Sequence, residues 1–270
     1  MGILSKSLLG IFLLTVASAS WATCPEGMKS NYKGECGVNK TPPFEGTLFV
    51  EKDIIRSSEP STLVDIAYTG RGLREMYDRR CSCWKNNNAF LFNVNFKHKN
   101  GTIRAVEVQV NPEFGDAATA SVEAKKYSRA VGQIPFFLLH DVDFLWIHKG
   151  MNPFGGGNNN LLIHTGYGED YIRRGILEEA FVHEAVHTSI DSYHYSAEWR
   201  CAQNADAAFI SIYARDYPNR EDHAETFLMW VAVVYRADRI SQLVQMQITD
   251  TVPNRIDYYN NQFIDLYPVR

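Results

Sequence analysis

Two histidines four residues apart, His183 and His187, lie in an apolar stretch, with Glu184 directly after the first of them. On an α-helix, side chains at positions i and i+4 share one face, so both imidazoles can reach a single metal ion. Apolar neighbours predict that the rest of this helix is seated in a core; they are Ile176, Leu177, Phe181, Val182, Ala185 and Val186. The same short string also arises by chance on ordinary amphipathic helices, so the interpretation depends on a third ligand.

Three completions of the metal site can be compared. A metzincin-type extension requires Gly at position 190 and His at position 193, where this chain has Ile190 and Tyr193. Asp206 is available as an aspartate ligand, but it lacks the Gly-Thr-x-Asp setting. The stretch "NREDHAETFLMW" offers a glutamate ligand, because Glu221 and Glu225 lie four residues apart on a predicted helix. The glutamate completion is favoured, and Asp206 is kept as the alternative.

With these two motifs the sequence resembles the gluzincin metallopeptidases, a family that includes the catalytic domain of anthrax lethal factor. The resemblance rests on "HEAVH" and "EDHAETF" and covers about residues 140 to 237. It implies a zincin-like fold and a Zn²⁺ ion, whose ligands would be His183, His187 and Glu221. It also implies that Glu184 is the general base and that Glu225 is an outer acid that orients a ligand.

Further residues take roles by the same resemblance. The tyrosine that helps to stabilise the oxyanion in that family would be Tyr213 or Tyr217. From its position one turn after His187, Asp191 is expected either to hydrogen-bond a ligand histidine or to cap the turn. Zinc with three protein ligands lowers the pKa of a bound water to about 7, which would let Glu184 accept a proton from it. A peptide or protein substrate is expected to pair with residues 161–165, taken as the edge strand of the cleft.

The N-terminus, "MGILSKSLLGIFLLTVASASWATC", has the charge, the apolar run and the small residues of a secretory signal peptide, predicted over residues 1–22. The apolar run is too short to span a bilayer, so we expect a secreted, extracellular protein without a membrane anchor. Two sequons, at Asn39 and Asn100, are candidate glycosylation sites. The dibasic pair Arg79 and Arg80 is either a processing site for a propeptide or solvated surface.

Five cysteines follow the signal peptide, and an oxidising compartment makes disulfides the expected state. They are Cys24, Cys36, Cys81, Cys83 and Cys201. Cys24 is expected to pair with Cys36, and either Cys81 or Cys83 with Cys201. The odd number leaves one thiol unpaired or intermolecular.

The order of predicted elements is strands first and helices after, which is typical of an α+β fold. Strands are expected at residues 89–98, 102–110, 143–150 and 161–165, with a little strand around 46–55. Helices are expected at residues 116–132, 174–195, 197–213 and 219–237, and a last one is broken near Pro253. We therefore divide the chain into a signal peptide (1–22), a cystine-bearing segment (23–88) and a zincin-like catalytic domain (89–270).

Composition excludes one class of function. The formal net charge of -4 offers no basic surface of the kind that nucleic-acid binding needs. The sequence thus predicts a secreted zinc metallopeptidase, with a secreted matrix or binding protein that keeps a zinc site without turnover as the alternative. It does not indicate the oligomeric state.

Overall fold

The computed structural model describes residues 28–30, 36–38 and 41–270. The expected signal peptide, the expected Cys24–Cys36 pair and the sequon at Asn39 lie outside the part that can be described. Near the N-terminus, strands β1 (Met28–Ser30) and β2 (Cys36–Val38) form a short antiparallel pair.

A six-stranded mixed sheet forms the β layer, with the strand order β3-β4-β5-β6-β8-β7. Its strands are β3 (Leu63–Asp78), β4 (Cys83–Lys97), β5 (Ile103–Val110), β6 (Phe144–His148), β7 (Gly155–Gly157) and β8 (Asn160–His164). The first three strands are antiparallel, β6 is parallel to both β5 and β8, and β7 is antiparallel to β8. The four strands expected between residues 89 and 165 are confirmed.

Strand β3 was not expected, because its sequence lacks the apolar–polar alternation that marks a half-buried strand; half of its residues are exposed. Gly70, with φ +112°, lies at a shift in the β3–β4 register. The domain boundary expected between residues 88 and 89 falls inside β4, which pairs with β3 along nearly the whole length of β3. The little strand expected around residues 46–55 is wrong, since this segment forms bends and turns.

Eight α-helices occur among the described residues. They are α1 (Ala117–Val131), α2 (Thr165–Arg174), α3 (Leu177–Ser189), α4 (Ala197–Ala205), α5 (Ile212–Asp216), α6 (Asp222–Tyr235), α7 (Gln242–Thr251) and α8 (Pro253–Asn260). The helix expected over residues 174–195 is present but shorter: α3 begins at Leu177 and ends at Ser189, and a 3₁₀ helix follows over Asp191–Tyr195. Helix α2, which precedes it, was not expected, and Gly175 with a left-handed φ of +69° ends α2. The helix expected over residues 197–213 is broken after α4.

Helices α1 and α3 pack on one face of the sheet, and α6 packs on α3. The alternation along β6 and β8 sends Leu145, Ile147, Leu161 and Ile163 into this main core. Trp146 and Leu162 point to the opposite face, where they form a smaller cluster with residues of the β3–β4 hairpin. The mixed α+β class is confirmed. Within the described residues, no helix is both long and apolar enough to cross a bilayer.

Candidate metal centre

Helices α3 and α6 bring three potential metal ligands together. His183 and His187 lie on successive turns of α3, and their Nε2 atoms are 3.2 Å apart. Glu221 immediately precedes α6, and its Oε2 atom is 3.4 Å from His183 Nε2 and 3.1 Å from His187 Nε2. In a tetrahedral zinc site with ligand distances near 2.0 to 2.1 Å, neighbouring ligand atoms are about 3.3 Å apart. The three side chains therefore fit around one ion of that size.

The chemistry of the three facing atoms also favours a cation. Nδ1 of His187 lies 3.0 Å from Asp191 Oδ2, so the ring donates its Nδ1–H to the carboxylate and turns the Nε2 lone pair toward Glu221. The Nε2 atoms of His183 and His187 therefore face each other and a buried carboxylate, an arrangement that a positive charge between them stabilises. Of the two roles considered for Asp191, the hydrogen bond to the histidine is the one observed.

The pKa values of these groups point the same way. Burial lowers the pKa of His187, but its hydrogen bonds to Asp191 and Glu221 raise it to about 10. For His183, burial is likewise outweighed by Glu221, and its pKa is raised. Burial would raise the pKa of Glu221, yet the two histidines hold that pKa well below its ordinary value. In the absence of a metal ion, the site therefore takes up protons.

Glu225 lies behind the first histidine, within ion-pair distance of His183 Nδ1 but without a hydrogen bond to it. Its Oε1 atom lies 3.6 Å from His183 Nδ1, and its Oε2 atom accepts a 2.7 Å hydrogen bond from the Thr47 backbone N–H. The Thr47 hydroxyl donates to the backbone carbonyl of Glu225 at 3.1 Å. Sequence analysis missed Thr47, because no motif links a residue in an irregular segment to a helix 178 positions away.

The two candidate tyrosines differ in position. Tyr213 donates a 2.9 Å hydrogen bond from its hydroxyl to Glu221 Oε1 and lines the cleft beside the three ligands. Tyr217 packs its ring against that of Tyr213, with centroids 5.3 Å apart, and does not line the cleft. Burial, and to a smaller extent Glu221, raises the pKa of Tyr213 to about 12, so its phenol remains a donor at neutral pH.

A cleft of about 310 Å³ opens over the three ligands, and Glu184 lines it as well. Strand β7 borders this cleft and lies against α3. A Cβ atom at Gly156 would fall 1.9 Å from the backbone oxygen of Glu184, so only glycine allows this approach. Gly157 N–H donates to the Thr188 hydroxyl at 2.9 Å, which fixes the strand to the same helix.

The expectation that residues 161–165 form the edge strand is wrong. Strand β8 lies between β6 and β7 in the sheet, and β7 pairs with its residues 160–162. The chain reverses direction at Asn158 and Asn159, both with positive φ, and this turn places the glycines of β7 outside β8. Among the described residues no further strand pairs with the outer edge of β7, so this is the free edge beside the cleft, where the Gly157 N–H is already bonded to Thr188.

Asp206, the alternative ligand, lies elsewhere. It is 2% exposed and accepts hydrogen bonds from Arg255 Nε at 2.8 Å and from the Asn254 backbone N–H at 2.8 Å. It does not belong to the cluster of His183, His187 and Glu221.

The disulfide expected between Cys201 and one of the two hairpin cysteines is also wrong. Cys81 and Cys83 are bonded to each other, with Cα atoms 5.2 Å apart, at the turn between β3 and β4. Cys201 is a free, exposed thiol on α4. The hairpin turn brings the two neighbouring cysteines together, which the sequence analysis did not consider. Asn100 is exposed in the turn between β4 and β5, so the sequon there is accessible.

The site thus combines two histidines and a glutamate with Glu184 in one open cleft, held by Asp191, Glu225 and Tyr213. No family model matches the chain, and neither a curated protein nor a solved structure matches it.

Proposed function

We propose that this protein is a secreted, zinc-dependent metallopeptidase with a zincin-like fold. The observation that supports it most is the convergence of His183 Nε2, His187 Nε2 and Glu221 Oε2 within 3.4 Å of one another, on an open cleft that Glu184 also lines. Structural zinc sites are closed by four protein ligands, whereas catalytic sites keep one position free. Among the described residues the cluster has three members, which favours the catalytic kind.

Zinc suits this donor set of two imidazoles and one carboxylate. When bound, it would supply a Lewis acid that polarises the scissile carbonyl and makes a water acidic enough to lose a proton near neutral pH. The chain's own residues prepare the site. Asp191 fixes the ring of His187 through a 3.0 Å hydrogen bond, and Tyr213 holds Glu221 through one of 2.9 Å. Such outer contacts orient ligands and raise their basicity.

Glu184 is the proposed general base. It follows His183 on α3, lines the cleft, and is not part of the ligand cluster. It would accept a proton from the attacking water and then deliver that proton to the leaving amine. Tyr213, which stays protonated at neutral pH, is the proposed donor to the oxyanion in preference to Tyr217; its single O–H would turn from Glu221 to the oxyanion as that charge forms.

The substrate is proposed to be an extended peptide that pairs with the free edge of β7. Backbone pairing to an edge strand fixes a peptide without reading every side chain. Because Gly156 packs against the backbone of Glu184, a peptide on this edge would run beside the proposed base. The N-terminal signal-peptide pattern supports secretion, and a signal peptide ending near residue 22 would leave the proposed site intact.

Two substitutions separate proton transfer from metal binding. Glu184→Gln is expected to keep the fold and the zinc while lowering peptide hydrolysis by about 10²- to 10⁴-fold, since general base catalysis is typically worth that much. Glu221→Ala is expected to lose the zinc itself. Metal content, measured by mass spectrometry of the purified proteins, and cleavage of casein or peptides, with and without a chelator, provide the readouts.

Hydrolysis by Glu184→Gln at the rate of the parent would contradict the proposed base. If the parent binds zinc tightly and cuts none of a broad panel of peptides, the site would instead be a structural metal clip in a matrix or binding protein.

A further inference from the structure

A second cavity, of about 240 Å³, adjoins the cleft across strand β7. Gly156 and Arg79 line both cavities. The second one is also lined by Trp146 and Leu162, which point to the sheet face opposite the main core and α3. The two cavities therefore lie on the two sides of β7, whose free edge is the proposed place for a peptide.

Arg79 stands out among the cationic residues near this edge. It lies in the turn after β3, and its guanidinium rests on Gly155, where a Cβ atom would fall 2.7 Å from Arg79 Nη2. Its neighbour Arg80 is paired with Asp78 at 2.9 Å and with Glu113 at 2.7 Å. Within the described part of the chain, no carboxylate lies within ion-pair distance of Arg79. In contrast, Arg74, Arg80 and Arg104 each form an ion pair with a carboxylate.

Arg79 is the one charged residue among the described residues that line the second cavity. Trp146, which is 6% exposed, contributes an aromatic wall, and its indole N–H is itself buried away from the cavity. A ligand with a carboxylate would therefore meet a cation in this cavity and no competing carboxylate.

An extended peptide paired with β7 would connect this cavity to the proposed reaction site, because its side chains alternate between the two faces. Successive side chains of a strand point to opposite faces, so a peptide paired with β7 would send alternate side chains into the two cavities. The first cavity is lined by four acidic residues, namely Glu184, Asp191, Glu221 and Glu225. In the first cavity an acidic side chain would compete with these carboxylates for the cations there, whereas in the second cavity Arg79 has no carboxylate beside it among the described lining residues.

We propose that Arg79, at the mouth of the second cavity, forms a subsite that binds an aspartate or glutamate side chain of the peptide substrate, within about two residues of the scissile bond. This inference rests on the proposed function, since it takes the substrate to be a peptide on the edge of β7. It makes Arg79 a specificity-determining residue and acidic peptides the favoured substrate class.

The test measures peptide binding and peptide cleavage separately. Fluorescent peptides carry a single Glu, moved one position at a time along an otherwise neutral sequence, and each is paired with its Gln counterpart. Dissociation constants are measured with the Glu184→Gln protein, which does not require turnover, and kcat/KM is measured with the parent. Both measurements are repeated with the same peptides after Arg79→Ala or Arg79→Glu has been introduced into each of these two proteins. Arg173→Ala is the matched control, because Arg173 is an exposed arginine on α2 that lines neither cavity.

At one or two positions, the Glu peptide is expected to bind about 10- to 100-fold more tightly than its Gln counterpart, the range of a charge-assisted hydrogen bond. The preference should disappear in Arg79→Ala, reverse toward a Lys peptide in Arg79→Glu, and persist in Arg173→Ala. Unchanged zinc content and melting temperature would show that the Arg79 variants are folded.

Retention of the Glu preference by Arg79→Ala, or its absence from the starting protein at every position, would overturn the subsite. If the preference is found but no peptide is cut, the subsite stands and the peptidase proposal fails. If peptides are cut without the preference, the peptidase proposal stands and the subsite fails.

Discussion

Replacing Asp191 with asparagine tests how much the outer hydrogen bond contributes to metal binding. Asp191 Oδ2 accepts from His187 Nδ1 at 3.0 Å, and Asp191 also touches His194, with 3.7 Å between Oδ1 and His194 Nδ1. Asparagine keeps the size of the side chain but removes the charge, and its amide can present a donor to the ring in place of an acceptor. The ring of His187 would then be held in its metal-binding tautomer less firmly.

Loss of such an outer partner typically lowers metal affinity by 10- to 100-fold, which corresponds to about 1.4 to 2.7 kcal/mol. The side chain of Asp191 is 32% exposed, so solvent screens part of its charge. We therefore expect a loss in the lower half of that range. The three ligands themselves are unchanged, so the variant should still bind one metal ion per chain.

The assay is competition for zinc with a chromophoric chelator at constant pH and ionic strength. Asp216→Asn is the matched control, because Asp216 is an exposed aspartate, 2.8 Å from Arg215, that does not line the cleft. Zinc affinity of Asp191→Asn within about two-fold of that of the control would refute the argument that this hydrogen bond prepares His187 for the metal.

Three further outcomes are expected. Burial raises the pKa of Glu179 from 4.5 to about 8. The stability that the protonated carboxyl contributes is therefore fully present below pH 4.5 and is lost as the pH rises through 8. Glu179→Gln should flatten this fall in the free energy of unfolding, measured with urea between about pH 5 and 9. Arg255→Met should lower the unfolding free energy by about 3 to 5 kcal/mol at neutral pH, because it leaves the buried carboxylates of Asp206 and Asp222 without their cation; a loss below about 1 kcal/mol in urea melts would contradict this. Iodoacetamide should label Cys201 in the folded, unreduced protein and leave the two hairpin cysteines unlabelled, as read by peptide mass mapping; labelling of the hairpin pair would contradict the disulfide there.

Local periodicity determined what could be read from the sequence alone. The spacing of His183 and His187 places both on one face of any α-helix, whatever surrounds that helix. The apolar–polar alternation of β4 and β5 and the helical pattern of α1 can likewise be recognised within a few neighbouring residues. All three elements are present in the structure. The α+β class followed from the order of these elements along the chain.

Only the tertiary structure decided between residues that the sequence left equivalent. Glu221 and Asp206 both lie downstream of the histidines, but α6 packs on α3 and brings Glu221 to them, while Asp206 is bound to Arg255. Which tyrosine lies beside Glu221 was settled in the same way, by the packing that directs Tyr213 to it.

Three further features depend on the tertiary structure. They are the edge position of β7 in the sheet, the contact of Thr47 with Glu225, and the place of Arg79 between two cavities. The contacts of Thr47 and Arg79 join segments that are far apart in the chain, and such long connections leave no periodic pattern in either segment. The turn that joins β7 to β8 is local, but the edge position of β7 depends on there being no further strand beside it among the described residues. Local spacing therefore placed the two histidines of the candidate site together, whereas the packing of distant segments decided which carboxylate lies beside them and what surrounds it.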